Sequence, residues 1–157
     1  MLRAIKIENT FVFKTNNSFI DIPPCTEFLI FDDEFNKEIP QNSLPEEIKW
    51  IIFGNSFNQL LDVNVLPKKL EKIEFGENFN QPIMKNVIPN SNIWMITIGK
   101  NFSQTIENIP DLGYFIVDKD NPNMEYFLKN NPQNHCIEYR KNYKTWWEKK
   151  INSFYYN

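Results

Sequence analysis

The chain has 157 residues, a net charge of −3 and a sequence pI of about 5.3. That is the size of about one domain with room for a real core, and the mild acidity excludes a protein built mainly to grip nucleic-acid phosphates, which needs a basic stripe. No run approaches the roughly 18 apolar residues of a membrane span, and Lys6 and Glu8 interrupt the start where a signal peptide would be continuously apolar.

Cys25 and Cys136 lack metal-type spacing and suit a reducing compartment as free thiols, so the expected location is the cytoplasm. Phe (14) and Asn (23) are abundant and Gly (4) is scarce, as turn-rich architecture or an AT-rich genome would give.

Residues 1–21 carry Ile5, Ile7 and Phe11-Val12-Phe13, an alternating stretch broken at Asn9-Thr10. This reads as a short hairpin or pair of strands closing the first coil, a β N-terminal cap. A repeat begins at residue 22. A Leu/Ile-Pro pair stands at Ile22-Pro23, Leu44-Pro45, Leu66-Pro67, Ile88-Pro89 and Ile109-Pro110, at intervals of 22, 22, 22 and 21. A second marker, Phe followed by Asn or Ser, stands at Phe35, Phe57, Phe79 and Phe102, at intervals of 22, 22 and 23. Two independent markers sharing a period define an internal repeat.

Between the markers lies an apolar phrase. It reads Leu70-x-x-Ile73-x-Phe75-Gly76, Ile48-x-x-Ile51-x-Phe53-Gly54, Ile93-x-x-Ile96-x-Ile98-Gly99 and Leu112-x-x-Phe115-x-Val117-Asp118, with Thr26-x-x-Leu29-x-Phe31-Asp32 in the first copy. Alternation over the last three positions is the period of a strand with one buried face. The Gly or Asp that follows suits a turn with an unusual backbone conformation, and the Pro falls before the strand, where a missing N–H costs little. One such unit cannot offset its own ordering entropy. It becomes stable when neighbours stack and share faces, which defines a repeat solenoid.

The phrase L-x-x-I-x-F-G-x-N-F resembles the leucine-rich repeat, and the 22-residue unit with "FNQPI" resembles the FNIP repeat. The likeness covers residues 22 to about 121, with repeats starting near 22, 44, 66, 88 and 109. It implies a leucine-rich-repeat-like right-handed coil with a parallel β-sheet on its concave side and an irregular convex side. It also implies a protein-interaction module rather than an enzyme. Some members of that family are fused to an F-box or a kinase domain, and no such motif stands in these 157 residues. The copy at 88 has one extra residue before its strand and a shorter return.

Residues 122–157 form the expected C-terminal cap. A short helical pattern runs through Met124, Phe127 and Leu128, "CIEY" is strand-like, and Tyr143, Trp147, Ile151 and Phe154 stand at near-helical spacing. This aromatic stretch reads as a capping helix or, alternatively, as a binding tail or dimer contact.

No chemistry-bearing constellation stands out. His135, the single histidine, neighbours Cys136 in a strand-like stretch, where adjacent side chains face opposite sides. Asp32, Asp33, Glu34, Asp118 and Asp120 fall at turns, where such side chains satisfy backbone groups, without a calcium-loop frame. The expectation is therefore no catalytic residue, no metal and no cofactor. The Asn residues at 36, 58 and 80 are read as inward-facing, bonding loop carbonyls and one another at the same level of each coil.

The outward face of the sheet is the informative surface. With Ile73 and Phe75 inward, the outward positions are Phe28 and Ile30, Trp50 and Ile52, Lys72 and Glu74, Met95 and Thr97, Tyr114 and Ile116. A solvated face is mostly polar, and this one is mostly apolar, which marks a contact surface. Three occupants fit: a partner protein, a second copy of the chain, or its own C-terminal helix. The preferred occupant is a partner protein, with Phe28, Trp50, Ile52, Met95 and Tyr114 as apolar anchors and Lys72 and Glu74 supplying polar selectivity. The alternative is a self-assembling homodimer.

Overall fold

The computed structural model describes residues 9–89, 92–107, 114–130 and 135–139, the last five and positions 128 and 130 by backbone alone. The described residues form a single sheet of seven parallel strands in chain order: β1 (Thr10–Phe13), β2 (Phe28–Phe31), β3 (Trp50–Ile52), β4 (Lys72–Glu74), β5 (Met95–Ile98), β6 (Tyr114–Asp118) and β7 (His135–Tyr139). A 3-10 turn (Phe19–Asp21) follows β1, and the helix α1 (Met124–Asn130) follows β6. Each strand pairs with the next in sequence, so every coil advances the chain by one strand.

The register follows the repeat. Phe28 lies opposite Trp50 and Trp50 opposite Lys72, one 22-residue period each. The copy at 88 keeps the irregularity read from the sequence: Lys72 pairs with Met95, 23 residues on, and Met95 with Tyr114, 19 residues on. The sheet also extends beyond the expected repeats. β1 pairs parallel with β2, Phe13 opposite Phe31, so the N-terminal segment supplies a further rung. Ile5 and Ile7 lie outside the described residues, as do Ile109, Leu112, Tyr143, Trp147, Ile151 and Phe154.

The predicted inward residues are the core. Leu29, Ile51, Ile73, Ile96 and Phe115 are all fully buried in the strands, and Ile48 and Leu70 beside them. The Phe of each Phe-Asn or Phe-Ser pair forms a second column: Phe57 stacks on Phe35 at 5.9 Å, on Phe79 at 6.0 Å, and Phe79 on Phe102 at 5.9 Å, with planes within 10°. Phe53 and Phe75 stack on the same column at 4.1 and 4.0 Å. Identical rings at one level of successive coils meet in the same offset, so each copy repeats the same favourable contact. Phe13 and Phe19 close this column at one end and Phe127 of α1 at the other.

Two expectations about the turns change. The described glycines do not have positive φ, so conformational freedom is not why Gly follows each strand. A Cβ on Gly54 would meet the carbonyl of Asp32, and one on Gly76 that of Gly54; consecutive coils approach there too closely for any side chain. The left-handed conformation belongs instead to Asn42, Asn64 and Asn86, with φ of 57°, 66° and 67°. Asn tolerates that region better than other non-glycine residues. Each stands two residues before its Leu/Ile-Pro, so the repeat phrase is N-x-[L/I]-P.

The second change concerns the Asn ladder. Asn36, Asn58 and Asn80 do not point inward to bond carbonyls. Each lies at the surface and accepts, through Oδ1, the backbone N–H of the same position one coil on: Asn58 at 2.9 Å, Asn80 at 2.8 Å and Ser103 at 2.8 Å. Gln59 and Gln81 donate to the same acceptors. Asn58→Ala removes the acceptor for Asn80 and lowers stability by about 1 kcal/mol. Asn58→Asp keeps that acceptor and stays near wild type, and urea unfolding of the two variants measures the difference. Asn121 serves the last coil differently, buried and donating Nδ2 to the carbonyls of Gly99 and Phe102 at 2.8 and 2.9 Å.

Candidate functional site

The ten outward residues come together as two continuous rows across the sheet. Thr10, Phe28, Trp50, Lys72, Met95 and Tyr114 form one, and Val12, Ile30, Ile52, Glu74, Thr97 and Ile116 the other. Neighbours within a row are about 4.8 Å apart, the strand spacing. Thr10 and Val12 extend both rows by one strand before the first repeat, and the alternation of Phe11-Val12-Phe13 identifies them.

The rows differ in exposure from one end to the middle. Tyr114 is exposed; Phe28, Ile30, Trp50, Ile52, Met95 and Ile116 are half-buried. Lys72, Glu74 and Thr97 stand on this outward face and are buried, at 1%, 7% and 6% exposure. For Lys72 and Glu74 this corrects the role of surface polar selectors. Lys72 stands between Trp50 and Met95 on adjacent strands, its Nζ 5.1 Å from the centre of the Trp50 ring and 3.3 Å from Glu74 Oε2. Cation–π attraction and charge pairing give that ammonium what water would otherwise supply. The pair is two residues apart on one strand, which puts both side chains on the same face.

Aromatic rings frame this centre. Phe28 meets Trp50 edge-on at 5.0 Å. Tyr114 meets Trp94 edge-on at 6.0 Å. Trp94 is exposed and stands just before β5, where the preceding coils carry Lys49 and Glu71. An aromatic residue at a position otherwise charged was the signal that would have found it. At the same entrance, Lys49 Nζ donates to Glu27 Oε2 at 3.1 Å. That hydrogen bond, opposed by partial desolvation and helped by the charges of Glu27, Glu71 and Glu47, holds the ammonium above its usual range. The pair is well hydrated and contributes less than about 1 kcal/mol.

The turn carboxylates are occupied by backbone groups. Asp32 accepts the N–H and hydroxyl of Thr15 at 2.9 and 3.1 Å, Asp33 the N–H of Asn55 at 2.9 Å, and Asp118 that of Asp120 at 2.9 Å. Among the described residues, no group of three His, Cys, Asp or Glu side chains is placed to hold a metal ion, and no helix is long and apolar enough to cross a membrane. His135 and Cys136 lie in β7, as the strand reading expected.

A parallel sheet advancing one strand per coil over a stacked aromatic column defines a leucine-rich-repeat-like solenoid, the class of fold used for protein-interaction modules and scaffolds. The FNIP repeat profile matches residues 16–56 and 57–96, together more than half of the chain, and the protein belongs to the FNIP-repeat family. The fold is similar to the crystal structure of CroV588, described as a novel circular LRR protein. The two are 30% identical, with a TM-score of 0.51, over 63% of this chain and 18% of that one. The matched part of this chain therefore spans less than a fifth of that chain's length. No curated protein matches the sequence significantly.

Proposed function

We propose that the protein is a non-enzymatic interaction module that engages a partner protein through the outer face of its sheet. The observation that carries this reading is the composition of that face. Phe28, Ile30, Trp50 and Ile52 on one side of Lys72, Glu74 and Thr97, and Met95, Tyr114 and Ile116 on the other, occupy two rows where a face left to water would be polar. Trp and Tyr are the side chains that most often dominate binding energy at such surfaces. The repeat framework agrees with it: the inward residues hold the coil, and the outward rows are left to recognition.

Trp50→Ala/Tyr114→Ala removes the two largest anchors from opposite flanks and leaves the inward core in place. Affinity capture from native extract, compared by quantitative mass spectrometry, loses its specific partner at least about tenfold in this variant. Leu60→Ala, exposed outside the sheet, retains it. Equal recovery by the Trp50/Tyr114 variant, with an unchanged circular-dichroism spectrum, contradicts the assignment of this face.

A further inference from the structure

Asn42, Asn64 and Asn86 occupy the same corner of three successive coils, all exposed and all at positive φ. Each is the third residue of a β-turn, closed by the N–H of the next residue. Ser43 donates to the Pro40 carbonyl at 3.3 Å, Val65 to that of Asp62 at 3.3 Å and Val87 to that of Met84 at 3.2 Å. None of the three Asn side chains makes a hydrogen bond among the described residues. An asparagine so placed carries an electrophilic amide carbon on which the nitrogen of the next residue can close a five-membered ring.

Three conditions govern that closure: the peptide plane must rotate, the side-chain amide must be free, and the following nitrogen must be accessible. A non-glycine residue held at positive φ already lies above its relaxed state, which lowers the cost of the rotation. Val65 and Val87, buried and β-branched, crowd the attacking nitrogen behind Asn64 and Asn86. Ser43 is only half-buried and is not branched at Cβ. Asn17 and Asn55, the other described Asn residues followed by Ser, are locked. Asn17 Oδ1 accepts the Lys14 N–H at 2.7 Å, and the Ser18 N–H is bound by Asp21 Oδ2 at 2.7 Å. Asn55 Oδ1 accepts the Glu77 N–H at 3.4 Å, and the Ser56 N–H is bound by the Asp33 carbonyl at 3.0 Å. Of these five positions, Asn42 alone meets all three conditions.

We propose that Asn42 is a site of spontaneous succinimide formation, so that the protein deamidates selectively at the corner between the repeats that start at 22 and 44. The Ser43 nitrogen loses its proton to base and attacks Asn42 Cγ. The new C–N bond forms, the Cγ–Nδ2 bond breaks, and the departing nitrogen takes up a proton and leaves as ammonia. Water then opens the ring at one carbonyl to give aspartate or at the other to give isoaspartate. The net change exchanges NH2 for OH, with no oxidant or reductant. Isoaspartate adds a backbone carbon at a turn where the Asn42 N–H meets the Asn64 carbonyl at 2.9 Å. Either product places a new carboxylate next to Gln41, which binds Asp62 at 2.9 Å. The modification is independent of partner binding.

Incubation of the full chain in heavy-oxygen water at mildly alkaline pH, followed by peptide mass spectrometry and enzymatic methylation of isoaspartate, tests the assignment. Asn42 converts at least about tenfold faster than Asn64 and Asn86, which share its turn but precede valine. It also outpaces Asn17 and Asn55, which precede serine in locked geometry. In Ser43→Val, which installs the residue of the next two coils, conversion at position 42 falls to the rate of Asn64 while the circular-dichroism spectrum is retained. Should that variant not fold, the wild-type chain unfolded in guanidinium gives the answer: Asn17, Asn42 and Asn55 then converge on one rate, because each precedes serine. Folded Asn42 converting no faster than Asn64 or Asn55 overturns the proposal. So does a preference for Asn42 that persists unchanged in guanidinium, since the selection would then lie in the local sequence and not in the fold.

Discussion

Lys72→Met destabilises the protein by about 3 kcal/mol or more, because it leaves the Glu74 carboxylate in a buried site without its cation. Lys72 is 1% and Glu74 7% exposed, and Nζ stands 3.3 Å from Oε2. Breaking a buried pair from one side differs from deleting it. In Lys72→Met/Glu74→Leu both charges are gone, the methylene stems are retained in outline, and most of the lost stability returns. Urea unfolding of the two single variants and the double variant gives the coupling directly. A single variant within about 0.5 kcal/mol of wild type would show that the carboxylate reaches water, and with it that the centre of the face is open.

Gly76→Ala costs about 3 kcal/mol, although alanine is ordinarily the better residue for an ordered backbone. The added Cβ would meet the carbonyl oxygen and carbon of Gly54 and the Cα of Asn55, all backbone atoms of the preceding coil. No flexible side-chain end is available to move aside, so relief requires the coils to separate locally. Separation there strains the hydrogen bond from Asn78 N–H to the Asn55 carbonyl, now 3.1 Å, and the adjoining Phe53–Phe75 stack at 5.5 Å. Gly99→Ala meets Gly76 O at 2.5 Å and is milder. Thermal unfolding that ranks Gly76→Ala below Gly99→Ala, and both below wild type, is the expected result. A neutral Gly76→Ala would mean that coil spacing relaxes without loss.

These two sites mark the boundary of what the sequence made legible. Period and alternation together located Leu29, Ile51, Ile73, Ile96 and Phe115 in the core, because an inward strand position repeats every coil and tolerates only apolar side chains. They also located the extra residue before β5 and the shorter return to β6, since both shift the marker spacing. The same logic gave the outward rows, which follow from the core by strict alternation. The burial of Lys72 and Glu74 was not legible, because alternation names the face a residue occupies and says nothing of what lies above it. Gly54 and Gly76 were assigned to the right positions for the wrong reason. A close approach between coils is a distance across 22 residues of chain, and residue type alone does not distinguish it from a demand for positive φ. That demand was met at Asn42, Asn64 and Asn86, where the period was in plain view. Trp94 was missed for a different reason: it precedes the strand, outside the alternation that defined the face.

Partner binding through the outer face is tested most directly by methyl NMR of isoleucine-labelled protein titrated with the captured partner. Ile30, Ile52 and Ile116 report on that face, while Ile20, 89% exposed, and Ile39, buried outside the sheet, report on the rest of the surface and core. The expected result is progressive, saturable shifts confined to Ile30, Ile52, Ile116 and their immediate neighbours. Shifts at Ile20 or Ile39 with those three methyls unmoved would contradict the assignment and place recognition elsewhere on the solenoid.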